Sequence, residues 1–254
     1  MNCLYDIRPG IFSAFREICA LQTTRHGGIS PEPFASLNLG HNTSDNPAHV
    51  QRNRQILCHR LGIDPSSLVT ADQVHGTKVR HVVKGGHHAG CDAFVTDRAG
   101  VYLCILTADC FPLLIYDYEH KAAGAVHAGW KGTAANVAGI TLREMQERFG
   151  TSPSACRAWI GTGISGNAYE VGKEVADRFA GKHLSISADG KIMLNLASAN
   201  LDQLIGAGIP RSSIELSPFC TAGNNRDFFS HRKENGKTGR MIALIGINSE
   251  VRTP

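Results

Sequence analysis

The chain has 254 residues, 42% of them apolar, with 27 glycines and a formal charge of +4. A chain this long can bury roughly three quarters of its unfolded surface without a disulfide staple, and one large domain over residues 1–254 is the default. The scattered Lys and Arg argue against nucleic-acid binding, no apolar stretch reaches the roughly 18–20 residues of a membrane span, and the charges in "MNCLYDIRPG" argue against a signal peptide.

A cytoplasmic protein is therefore expected. Its eight cysteines (3, 19, 58, 91, 104, 110, 156 and 220) form no CxxC pair. In a reducing compartment they read as mostly buried thiols, with one or two functional.

In chain order, residues 20–44 are dense in Gly, Pro, Ser and Asn and read as loop. A helix follows over 47–61, with Asp45 or Asn46 as cap, Pro47 in its first turn and Gly62 ending it. Strands are predicted near 67–71, 77–83, 92–96, 101–107, 111–117 and 122–127, where aliphatic and aromatic residues dominate. A glycine-rich segment, "KGGHHAGC" at 84–91, reads as a solvated, mobile loop with incidental histidines. A second helix is predicted over 133–149. Further strands fall near 156–160, 191–196, 213–217 and 240–247, and helices near 172–181 and 197–207. Strands and helices do not alternate regularly, so an α/β domain of mixed sheets fits better than a regular barrel.

Several constellations could carry chemistry. His75, Cys110 and His127 each sit within or at the end of a predicted strand, in "TADQVHG", "LTADC" and "GAVHAGW". One thiolate and two neutral imidazoles suit Zn²⁺, and three protein ligands leave a fourth position for water, as in catalytic sites. The same atoms also permit a metal-free reading, with Cys110 as nucleophile, His127 as base and Asp109 as orienter. A bland alternative is a buried thiol and two histidines bonded to backbone carbonyls.

On helix 47–61, Val50, Leu57 and Leu61 fall within about 40° of one another, and Arg54 lies inside that apolar stripe with Asn53 on its flank. An inward guanidinium is costly unless it meets an anion, so it marks a phosphate or carboxylate site, or else an arginine that packs its stem and snorkels or pairs with an internal Asp or Glu. "GTGISG" (161–166) matches G-x-G-x-x-G literally, but no helix begins inside the glycine run, so a flexible loop beside the substrate fits better than a dinucleotide site. "HAGWKGTAANV" leads into a helix start that could hold an anion with Lys131. "SHRKENGK" (230–237) reads as a solvated turn.

Together, "TTRHGGIS", "SLNLG", "NR" at 53–54, "QVHG", "CDAFVT", "LTADCFPLLIYD", "AVHAGWKGT", "YEVG" and "FFSHRKENGKTGR" resemble the YfiH family, also called the multicopper polyphenol oxidase or laccase-domain family. They span residues 23 to 240 in the family's order. The resemblance implies an α/β fold of layered mixed sheets flanked by helices. It also implies a zinc held by His75, Cys110 and His127; copper fits less well, because multicopper oxidases need several histidine-rich sites. It further implies purine nucleoside phosphorylase activity on adenosine, inosine, guanosine and methylthioadenosine, with adenosine deamination. Some bacterial members are described as peptidoglycan-editing factors.

The departures lie away from the metal set. Asn42 stands where the family often has histidine, Thr162 and Gly166 replace prolines, and Arg232–Lys233 replace an arginine pair. For such a reaction, Arg25, Asn38, Arg54, Ser230 and Arg232 are the expected phosphate-binding residues. Asp109 is the expected proton carrier or orienter. The rivals are a metal-free cysteine hydrolase, a copper oxidase and a non-enzymatic binding protein.

Overall fold

A computed structural model describes residues 5–249; Cys3 lies outside them. The strands are β1 (Asp6–Ile7), β2 (Ile18–Thr23), β3 (Leu68–Ala71), β4 (Val79–His81), β5 (Gly86–His88), β6 (Ala93–Thr96), β7 (Tyr102–Thr107), β8 (Phe111–Asp117), β9 (Ala122–Ala128), β10 (Cys156–Ile160), β11 (Leu184–Ile186), β12 (Ile192–Leu194), β13 (Ile214–Leu216) and β14 (Met241–Ile247). The helices are α1 (Pro47–Leu61), α2 (Trp130–Ala134), α3 (Val137–Phe149), α4 (Lys173–Ala176) and α5 (Leu196–Gly206). Two six-stranded mixed sheets carry the fold, ordered β1-β2-β14-β7-β3-β5 and β13-β10-β8-β9-β6-β4, and β11 pairs with β12 separately.

The long apolar runs follow from burial of both sheet faces. Between the sheets, Leu103, Ile105, Ala243 and Ile245 of the first meet Phe94, Leu114, Tyr116, Ala125 and Trp159 of the second. The alternate residues point outward, because side chains alternate along a strand. Tyr102, Cys104, Leu106, Ile242 and Leu244 pack against Leu57 and Cys58 of α1. Leu113 and Ile115 of β8 pack against Val137, Leu142 and Met145 of α3 and Leu204 of α5. The result is four layers, helix–sheet–sheet–helix, the mixed-sheet α/β architecture expected from the sequence.

Local chemistry sets the helix ends. Asn46, not Asp45, caps α1 through the Ala48 amide, and Gly62 ends it in the left-handed region at φ 65°. Asp45 instead accepts from Ser30 at 2.6 Å. The helix expected over 133–149 is two, because Asn136 turns into the left-handed region at φ 60° and starts α3 by accepting from the Gly139 amide. The helix expected over 172–181 is only one turn, α4.

Two loop expectations were wrong. β2 occupies the start of the segment read as loop and lies beside β14 inside the first sheet. Its buried Gln22 hid it: the side chain clamps the Thr162 backbone, accepting from the amide at 2.7 Å and donating to the carbonyl at 3.1 Å. "KGGHHAGC" contains β5, which pairs in parallel with β3 at the sheet edge, and Cys91 beyond it is fully buried.

Candidate metal centre

Three chain segments meet where the two sheets join. β7 belongs to one sheet and β8 to the other, so residues 108–110 cross between them. β9 lies beside β8 and carries His127 near its end, opposite Pro112. The segment after β3 brings in His75. One ligand atom from each of His75, Cys110 and His127 lies within 4.8 Å of the others, the one such group of three found among the described residues. The two imidazole rings are 4.8 Å apart and inclined at 71°.

A fourth residue organises the group. Asp92, fully buried, meets His127 Nδ1 at 2.8 Å. Its carboxylate also accepts the consecutive amides of Val74, His75 and Gly76 at 3.2, 2.8 and 2.7 Å. That nest of N–H groups holds His75 in the left-handed region at φ 60°, uncommon for a residue with a Cβ. One carboxylate thus directs His127 Nε2 toward the cluster and fixes the turn that carries His75. Gly129 completes the close packing. A Cβ there would fall 2.8 Å from His75 Cδ2 and 3.0 Å from Cys110 Sγ.

The electrostatics make the thiol ligand-ready and leave His127 a proton to release when a metal binds. Burial alone would push the Cys110 thiol up, but the His127 charge and hydrogen bonds from both histidines outweigh it and bring it down to about 6. Burial would lower His127, but the Cys110 thiolate and Asp92 hold it up at about 9. Desolvation of Asp92 is likewise outweighed by its bonds to His127 and to the Gly76 and His75 amides, leaving its carboxyl below the ordinary range.

The cluster opens into a cavity of about 420 Å³, lined also by Gln73, Trp130, Tyr169, His231, Arg232 and Arg240. Residues 40, 42, 71, 106, 108 and 109 complete the wall. Asp109 sits at φ 91° in the crossing between the sheets. Its carboxylate accepts from Thr221 Oγ1 at 2.6 Å, Ser230 Oγ at 2.8 Å and the Arg232 amide at 2.7 Å. It therefore ties the cysteine's own segment to the loop that supplies Arg232. "SHRKENGK" is not simply a solvated turn: Ser230 is fully buried, and His231 and Arg232 face the cavity.

The other expected phosphate ligands lie elsewhere. Arg25 donates to the Ala35 and Asn225 carbonyls at 2.8 and 2.9 Å and pairs with Glu234 at 3.1 Å. Asn38 donates to Thr43 and Asp45 and accepts from the Gly40 and Arg240 amides. Arg54 donates to the Leu39 carbonyl at 2.7 and 3.0 Å. Of the five, only Arg232 lines the cavity. "GTGISG" is no helix start: the Ile164 amide donates to the Asp109 carbonyl, and Gly163 bridges to Cys220. The helix after "HAG", α2, has five residues, too short to carry the anion role considered for it.

Sequence reasoning gave no role to Asp92, Gly129, Tyr169 or Arg240. Asp92 had a signal, an acid heading the apolar run "AFVT". Arg240 had none, since a cation just before a strand is ordinary.

A four-layer α/β protein with a thiolate and two imidazoles at the seam of its sheets defines a small class. Residues 19–248 match the family described as multi-copper polyphenol oxidoreductase laccase, and the chain belongs to this family, the YfiH family. It is 42% identical to a protein of Deinococcus radiodurans named purine nucleoside phosphorylase, over 89% of this chain and 87% of that one. It is 35% identical to purine nucleoside phosphorylase YlmD of Bacillus subtilis, over 91% and 89%. The crystal structure of YlmD from Geobacillus stearothermophilus superposes with a TM-score of 0.90 at 33% identity, covering 98% of this chain and all of that one.

Proposed function

We propose that the protein is a zinc-dependent purine nucleoside phosphorylase of broad specificity, acting on adenosine, inosine, guanosine and methylthioadenosine, with adenosine deamination as a side activity. The observation that carries this reading is the shared cavity: the His75–Cys110–His127 cluster opens into the space that Arg232 and Arg240 line. Relatives named purine nucleoside phosphorylase support it.

The donor set fits zinc. Two imidazoles and a thiol that is anionic at neutral pH form a borderline-soft set of three, and the open side faces the cavity. Asp92 supplies the outer hydrogen bond that orients a ligating histidine. When bound, zinc would supply Lewis-acid polarisation in the cavity.

Phosphorolysis forms a bond from a phosphate oxygen to ribose C1′ and breaks the bond from C1′ to the purine nitrogen. Arg232 and Arg240 would hold the attacking anion, with guanidinium donors matched to phosphate. Arg240 is partly buried, spends Nη1 on the Thr238 and Gly239 carbonyls, and still lines the cavity. The Tyr169 hydroxyl, pushed up to about 12 by burial and by the Cys110 charge, stays protonated and can donate to the substrate. Asp109 is proposed as the residue that positions the Arg232 wall, because both its oxygens are occupied there.

Metal analysis paired with inosine and phosphate, with and without chelator, tests the reading. Zinc and chelator-sensitive phosphorolysis are expected; no turnover in the zinc-loaded protein would refute it. One observation favours a second reading, a metal-free cysteine hydrolase: Cys110 and His127 form a thiolate–imidazolium pair without any metal. Activity lost on alkylation but untouched by chelators would select that reading.

A further inference from the structure

A second cleft, of about 320 Å³, lies between α1 and the segment that leads into β3, with Gly86 of β5 at its edge. Gln51, Arg54 and Gln55 form one wall, one helical turn on a single face, and Ser66 and Thr70 stand among the other lining residues. No Asp or Glu lines it. Arg54 lies in the apolar stripe of α1, between buried Val50 and buried Leu57. Its Nε and Nη2 donate to the Leu39 carbonyl, and Nη2 meets His41 Nε2 at 2.9 Å. Among the described residues, Nη1 has no hydrogen-bond partner and the guanidinium no carboxylate partner.

A partly buried cation without a counter-charge is costly. Its neighbours do not relieve that cost. A carbonyl supplies only a dipole, and burial together with the Arg54 charge pushes His41 down to about 4, so the imidazole stays neutral. The Arg54 pKa is itself lowered by burial. What remains is a guanidinium without a counter-charge on a cleft whose wall carries the amide side chains of Gln51 and Gln55, donors that suit an oxyanion.

We propose that this cleft is a second oxyanion site, taking inorganic phosphate, with Arg54 as its charged ligand and Gln51 and Gln55 as neutral donors. It is separate from the anion position assigned to Arg232 and Arg240. An anion seated there steadies Arg54 and, through Leu39 and His41, the edge formed by Gly40 and Asn42 on the cluster cavity.

Calorimetric titration of the full chain with inorganic phosphate, without nucleoside, tests this. In the double variant Arg232→Gln/Arg240→Gln one phosphate site is expected to persist. Adding Arg54→Gln should weaken that site by roughly tenfold or more, the loss of one charge-assisted contact. Gln51→Glu, an exposed change that leaves the Arg54–Leu39 bonds intact, should do the same by placing a carboxylate at the cleft. Residual phosphate binding unchanged by Arg54→Gln and Gln51→Glu, or absent already from the double variant, would overturn the proposal. Should Arg54→Gln not fold, Gln51→Glu decides alone. Nucleoside turnover plays no part in this readout, so a protein without phosphorolysis but with Arg54-dependent phosphate binding would retain this site and lose the functional reading.

Discussion

Asp92→Asn removes one charge and adds a donor in a pocket built from donors. The carboxylate now accepts from His127 Nδ1 and three consecutive amides, all within 3.2 Å. An asparagine oxygen can keep one or two of these bonds, while its NH₂ must face an N–H. A hydrogen bond to a charged group contributes about 1.5–3 kcal/mol, and bonds sharing one carboxylate are not additive. Removing one partner of a buried charged pair costs about 3–5 kcal/mol, which lowers the melting temperature by roughly 6–20 °C for a domain of this size. Because the same group orients His127 and seats His75, zinc affinity should also fall, by about 10–100-fold. Thermal unfolding of the metal-free protein and competition with a chromogenic chelator measure the two effects. A variant that unfolds earlier but binds zinc as tightly as the parent would show that Asp92 only supports the turn, and would refute its role toward the ligands.

Three further outcomes are expected. Gly129→Ala pushes a methyl into the space between His75 and Cys110; it should abolish zinc retention, read by metal analysis, while circular dichroism stays that of the parent. In chelated protein, Cys110 should titrate near pH 6 instead of 9. The fold favours its thiolate, so alkylation should remain fast at neutral pH and slow only below about 6; a midpoint near 9 would contradict the His127 pairing. Arg240→Gln should raise the KM for phosphate by roughly tenfold or more, the loss of one charge-assisted contact, with zinc content unchanged, and an unaltered KM would remove Arg240 from the cavity's anion position.

The sequence carried the mixed-sheet α/β elements well where burial wrote them in long apolar runs, and the layering of sheets and helices followed only from the family resemblance. α1 announced itself through Asn46, Pro47 and Gly62, and its bounds are those predicted. β2 was illegible because Gln22 and Thr23 are buried polar residues, and only the tertiary partner Thr162 explains them. At the cluster, strand ends only allowed His75, Cys110 and His127 to converge, and the resemblance to the YfiH family named them as a set; that they meet depends on β7 and β8 lying in different sheets with β9 beside β8. Arg54 was correctly marked as an inward guanidinium, but its cleft could not be known without seeing which carbonyl it meets. The phosphate residues were the least legible, because whether an arginine faces a cavity or a carbonyl depends on loop packing far along the chain.

The crossing at residues 108–110 has a consequence for how this protein can change. Cys110 sits in a three-residue seam between two sheets, whereas Tyr169, His231 and Arg232 hang from connecting stretches outside them. Replacing the cavity-facing side chains on those stretches, while Thr221 and Ser230 keep their bonds to Asp109, would reshape what the cavity admits without moving the sulfur or the imidazoles. The molecule is thus partitioned into a chassis that fixes reactivity and a set of exchangeable brackets that set selectivity, and directed evolution aimed at the brackets should yield altered substrate range at little expense in folding.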